Sequence, residues 1–129
     1  PILISETRFL KSGIPCMQRE ALKYLYDILA AAEKVQRFVA GSSEDDYLSD
    51  ELLQSAVERQ FEIIGEAMGK LHKIAPDEAE RFVDYKKMIA FRNVLIHGYA
   101  TIDPVIVWGV VESNLNDVLN QAREALSAD

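Results

Sequence analysis

Residues 90–101 read AFRNVLIHGYAT, which sets Arg92, Asn93, His97 and Tyr99 in a mostly apolar run. Met88, Ile89, Phe91, Val94, Leu95 and Ile96 give this segment a helical composition that is apolar nearly all round, so it is expected to be largely buried. A buried charge is costly unless it is paired or lines a cleft. Arg92 and His97 therefore need an explanation that their apolar neighbours do not. On an ideal helix Asn93 and His97 lie one turn apart on one face, and Arg92 sits about 140° from His97 with a side chain long enough to swing back. Gly98 is expected to stop the helix in the left-handed conformation. That leaves His97 in the last turn, at the negative end of the helix dipole, with Tyr99 just beyond it.

Outward from this segment, the chain reads as helix after helix. Asp84 is placed to cap a helix running from Tyr85 to His97, with Lys86 and Lys87 in its first two turns. Cations are poorly placed there for the dipole; they are either phosphate contacts or ordinary surface lysines. Pro76 followed by Asp77 and Glu78 starts a short helical turn that reaches Phe82. Downstream, Asp103 and Pro104 form an N-cap and first-turn pair. The helix they open carries Val107, Val110, Val111, Leu115, Val118, Leu119, Ala122 and Leu126 on one face and runs to Ser127. Trp108, near its start, is read as a core or interface anchor.

Upstream, Leu53, Val57, Phe61, Ile64, Met68 and Leu71 define a helix over Asp50–His72, with Ser49 as its N-cap. Gly65 and Gly69 on this helix are expected to permit close packing, and Glu66 is read as solvated, with facing the site as the alternative. Leu22, Leu25, Ile28, Leu29, Ala32, Val35 and Val39 define another helix over Gln18–Val39, ended by Gly41. Residues 41–48, GSSEDDYL, read as a polar loop. Residues 1–16 lack periodicity and a signal-peptide pattern and read as an extension or tag-like segment, leaving 17–129 as the domain. There is no strand alternation, glycine-rich phosphate loop or internal repeat. The fold class is all-α: an up-down bundle of four main helices and one short one.

Composition bounds the rest. The 129 residues suit one domain, and 49% hydrophobic content suffices for a core. No apolar run approaches the length of a membrane span. A single cysteine, Cys16, rules out an intrachain disulfide and points to a reducing, cytoplasmic setting. Cys16, His72 and His97 lack metal-site spacing, so neither metal nor cofactor is expected. The net charge of −7 argues against general nucleic-acid coating. It is uneven, however: residues 41–69 hold eight acids and one base, whereas 70–101 hold six bases and four acids. An acidic body with a local basic cleft fits contact with a short anionic segment; a solvated acidic face is the plainer account.

With no serine or cysteine near His97 in sequence, proton transfer by a histidine beside a fixed cation is the chemistry that remains. Cleavage of RNA by its own 2′-hydroxyl needs only those parts. A base removes the 2′ proton, the oxygen attacks the adjacent phosphate, and a cation stabilises the charge. His97 suits the acid or base, Arg92 the phosphate grip, and Asn93 an orienting or sugar contact. An ion pair or helix cap is the structural alternative for the same residues.

The spacing Arg92, four residues, His97, one residue, Tyr99 resembles the R-x4-H-x-Y motif of the HEPN superfamily. The fuller text RNVLIHGY, with EIIGEA at 62–67 and IDPVIVWGVVESNL at 102–115, resembles its HepT-like branch. The resemblance covers about residues 18–126. It implies a homodimeric, metal-independent endoribonuclease toxin whose motif helices build one composite cleft. It implies Arg92 and His97 as the catalytic pair and Asn93 as the polar residue beside them. It further implies a cognate minimal nucleotidyltransferase antitoxin that modifies Tyr99 with AMP. A non-catalytic nucleotide- or substrate-binding subunit of a nucleotidyltransferase is the alternative function. A helical dimer that uses Arg92 and His97 only for packing is the blandest.

Overall fold

A computed structural model of the chain describes residues 16–98 and 102–127. Among these residues there are six helices and no strand: α1 Cys16–Val39, α2 Glu44–Leu48, α3 Glu51–Ile74, α4 Pro76–Ala79, α5 Tyr85–His97 and α6 Pro104–Ser127. The all-α class stands, and the four long helices are the four expected. The segment read as an N-terminal extension lies outside the described residues, except that its last residue, Cys16, is the first of α1.

One element was not foreseen. The segment expected to be a polar loop contains α2. Ser43 accepts a hydrogen bond from the Asp46 N–H (3.1 Å), and Asp46 accepts one from the Ser43 N–H (3.0 Å), a reciprocal cap that stabilises so short a helix. Tyr47 is fully buried, with its ring 5.3 Å from that of Trp108. Burial, with Glu58 adding to it, pushes the Tyr47 phenol well above its ordinary value. The cap of α3 also differs from the expected one. Asp50, not Ser49, accepts from the Leu53 N–H (3.0 Å), while the Ser49 hydroxyl turns back to the carbonyls of Asp45 and Asp46. The backbone sets Asp50 immediately before the first residue of α3, where its carboxylate suits the positive helix end, while Ser49 closes α2.

α3 lies at the centre of the packing, with α1 against one side and α5 against another; α6 packs on α1. Val57, Phe61, Ile64, Met68 and Leu71 of α3 are fully buried, and Leu25, Ile28, Ala32 and Val35 of α1 and Val107, Leu115, Val118, Leu119 and Ala122 of α6 join them. Each of the larger side chains contributes about 1.5–3 kcal/mol by leaving water. Gly41 ends α1 with φ 79°, the left-handed conformation that favours glycine. Among the described residues, no helix is long and apolar enough to cross a membrane.

α5 departs from expectation. Only Met88 and Phe91 are buried, whereas Val94 is 54% and Ile96 39% exposed. Composition pointed to burial on all sides, but α5 packs principally on α3, so apolar side chains away from that contact stay open. Gly98 is not left-handed either. Its φ of −74° and ψ of 124° are extended, and its N–H donates to the Val94 carbonyl. Asp84 stands at the cap position of α5 without capping it. Its carboxylate instead accepts from the Asn114 amide at 2.6 Å, and the Val83 N–H donates to Gln121 Oε1 at 3.1 Å. These two bonds tie the start of α5 to α6. At the start of α6, the Asp103 carboxylate accepts from the Val105 N–H (2.9 Å), as its capping role requires.

Candidate active site

α5 runs antiparallel to α3. The rings of Phe61 and Phe91 meet edge to face at 5.5 Å, Gly65 lies under Arg92, and His72 stacks on Tyr85 at 5.3 Å. The close approach depends on Gly65. A β-carbon there would overlap Arg92 Cβ and come within 2.7 Å of the Met88 carbonyl oxygen. Gly65 therefore permits close packing as expected. Gly69 does not: a β-carbon there would touch nothing within 4 Å. Gly69 instead opens onto a cavity of about 230 Å³ between α3 and α5, which Lys70, Lys73, Ile89, Arg92 and Asn93 also line.

Arg92 is seated where the two helices touch, half-buried rather than sealed in the core. Its Nη1 donates to Asn93 Oδ1 at 3.1 Å, and its Nη2 lies 3.8 Å from Glu66 Oε1. The other oxygen of Glu66 is 3.3 Å from Lys70 Nζ. Glu66 is thus half-exposed, and it faces Arg92 as well: one carboxylate stands between two cations. A half-exposed guanidinium with five donors keeps several for a ligand. Asn93 and His97 are exposed one turn apart, His97 as the last residue of α5. The structure joins Arg92 to Asn93 directly and presents His97 further along the same helix. Tyr99 lies outside the described residues.

Apolar side chains near the C-terminal end of α5 and at the start of α6 are exposed. Val94, Ile96, Val105 and Ile106 are all between 39% and 56% exposed. Sequence reasoning missed this exposure, because periodicity reports which side of a helix is apolar and not whether this chain covers it. It also missed the cationic cavity lined by Lys70 and Lys73. The glycine at Gly69, four residues after Gly65, was the available signal for open space there.

These features define an all-helical domain with an arginine–asparagine–histidine array at an accessible helix edge. The chain belongs to the ribonuclease HepT-like family, whose model matches residues 28–125. It is 34% identical over 108 residues to a candidate RNase of Methanocaldococcus jannaschii, covering 82% of this chain and 96% of that one. It is 33% identical over 102 residues to a probable ribonuclease HepT of Thermococcus cleftensis, covering 77% of this chain and 89% of that one. A candidate RNase of Caldanaerobacter subterraneus subsp. tengcongensis is 31% identical over 106 residues, or 82% of this chain and 94% of that one. No solved structure matches the chain.

Proposed function

We propose that the chain is a metal-independent endoribonuclease toxin that cleaves RNA through its 2′-hydroxyl at a site shared by two copies. The observation that carries this is the disposition of Arg92 and His97 on one helix. Five residues apart, they differ by about 7.5 Å in rise and about 140° in direction. Arg92 turns toward α3 and Glu66, and His97 is exposed at the helix end. A second copy related by a twofold axis supplies the missing partners. Val94 and Ile96, close to Arg92 and His97 in sequence, and Val105 and Ile106 at the start of α6 are exposed apolar residues that such an isologous contact would cover.

In the shared cleft one His97 removes the 2′-hydroxyl proton. The 2′-oxygen bonds to phosphorus and the bond to the 5′-oxygen breaks. The second copy's His97 protonates that leaving oxygen, giving a 2′,3′-cyclic phosphate and a 5′-hydroxyl. The guanidinium of Arg92 stabilises the charge that builds on the phosphate oxygens. Asn93, already bonded to Arg92, holds the guanidinium in place or contacts the sugar. Acid and base assistance contributes about 10²–10⁴-fold.

A cognate nucleotidyltransferase antitoxin is the partner that fits this reading, with Tyr99 as the residue it modifies. Adenylate at Tyr99 would add bulk and negative charge close to His97 in sequence, repelling RNA phosphate. The test is incubation of purified protein with single-stranded RNA in excess chelator. Cleavage that leaves cyclic phosphate ends supports the reading. Intact RNA, together with tight binding to a nucleotidyltransferase, would transfer the assignment to a non-catalytic partner subunit.

A further inference from the structure

The cavity between α3 and α5 carries more cationic charge than the cleavage chemistry uses. Lys70, Lys73 and Arg92 line it, against the single carboxylate of Glu66. Glu66 is placed as an anion would be, with Lys70 Nζ 3.3 Å from one oxygen and Arg92 Nη2 3.8 Å from the other. Two cations from two helices therefore already converge on one anionic group. Gly69 leaves the floor open beside them, and Ile89 supplies an apolar wall. Because α3 and α5 are antiparallel, moving from Gly65 toward Lys73 means moving back along α5, away from His97. Lys70 and Lys73 lie about 7.5 Å and about 12 Å of helix rise beyond the level of Gly65 and Arg92. The order along the surface is therefore His97, Arg92 with Asn93, Lys70, Lys73.

We propose that this cavity is a subsite for the RNA backbone flanking the cleaved bond. Lys70 and Lys73 contact phosphates on the side of Arg92 away from His97, and the opening at Gly69 receives the sugar between them. The proposal rests on the ribonuclease reading, since it takes Arg92 as the grip on the scissile phosphate. It explains how an acidic chain holds a polyanion: a few aligned cations meet a short single-stranded segment. A compact ammonium on a flexible stem suits such non-specific phosphate contact. Incoming phosphate takes over Lys70 and Arg92 from Glu66, so the carboxylate holds the cations in place until RNA arrives.

The experiment compares Lys70→Ala, Lys73→Ala and the double variant with the parent protein, using Lys34→Ala on the exposed side of α1 as a charge control. Binding of a 2′-deoxy oligonucleotide that cannot be cleaved is followed by fluorescence anisotropy across a salt series. In parallel, KM and kcat are measured on the matching RNA. Each cavity lysine removed should weaken binding by up to about fivefold. It should also lower the salt slope by about 0.7. KM should rise with kcat nearly unchanged, and Lys73→Arg should retain parent binding. Variants that bind and cleave like the parent, or a Lys34→Ala effect of equal size, would overturn the proposal. If the parent leaves RNA intact while the oligonucleotide still binds through Lys70 and Lys73, the ribonuclease reading fails and the anion subsite stands.

Discussion

Substitution of Gly65 by alanine tests how the proposed catalytic arginine is seated. The added β-carbon would lie 2.7 Å from the Met88 carbonyl oxygen and overlap Arg92 Cβ. An ordinary carbon–oxygen contact is about 3.3–3.6 Å, so α5 must retreat by at least about 0.6–0.9 Å at this level. Neither obstacle is the free end of a flexible side chain; both are fixed to the α5 backbone. Overpacking of this kind costs about 1–3 kcal/mol. Alanine returns about 1 kcal/mol of helix propensity, so the net loss in stability is about 0–2 kcal/mol. The effect on cleavage should be much larger. A 1 Å misplacement of a catalytic constellation costs on the order of 10²-fold, and Arg92 moves with the helix. Gly65→Ala should therefore melt within several degrees of the parent yet cleave RNA about 10- to 100-fold more slowly, measured as kcat/KM in chelator. Gly109→Ala, at a helical position with open space, should raise stability by up to about 1 kcal/mol. A Gly65→Ala protein that melts at or above the parent temperature and cleaves within twofold of it would refute the account of how α3 seats Arg92.

Arg92→Ala and His97→Ala should each abolish RNA cleavage and growth inhibition while gel filtration still shows a dimer; full toxicity in both would end the catalytic assignment. Val94→Asp or Ile106→Asp, at 54% and 56% exposed positions, should leave the helical fold intact but yield monomers that do not cleave. A monomer with full activity would remove the need for a shared site. Asn114→Ala should destabilise the protein by about 1.5–3 kcal/mol in chemical denaturation, because it leaves the Asp84 carboxylate without its 2.6 Å donor. An unchanged midpoint would show that this bond does not hold α5 to α6.

Much of this protein is readable in its linear order. Helical period placed three of the four long helices, composition and end signals placed the fourth, and at Phe61, Ile64 and Leu71 the expected stripe is the buried one. Arg92, Asn93 and His97 were visible because polar groups in an apolar helix are costly and stand out. Local chemistry was less legible where two neighbours compete for one role. Ser49 and Asp50 are both good caps, and only the course of the backbone selected Asp50. Asp84 is a good cap by type, yet a residue 30 positions later took its carboxylate.

What tertiary structure alone decided is which apolar surface is covered and which charges meet. α5 has the composition of a buried helix, but burial depends on how many neighbours pack against it, and they leave Val94 and Ile96 open. Glu66 and Arg92 are 26 residues apart, and no spacing rule links them; they pair because Gly65 lets two helices touch. A side chain's period follows from the geometry of its own helix, whereas its partners follow from the packing of every other one.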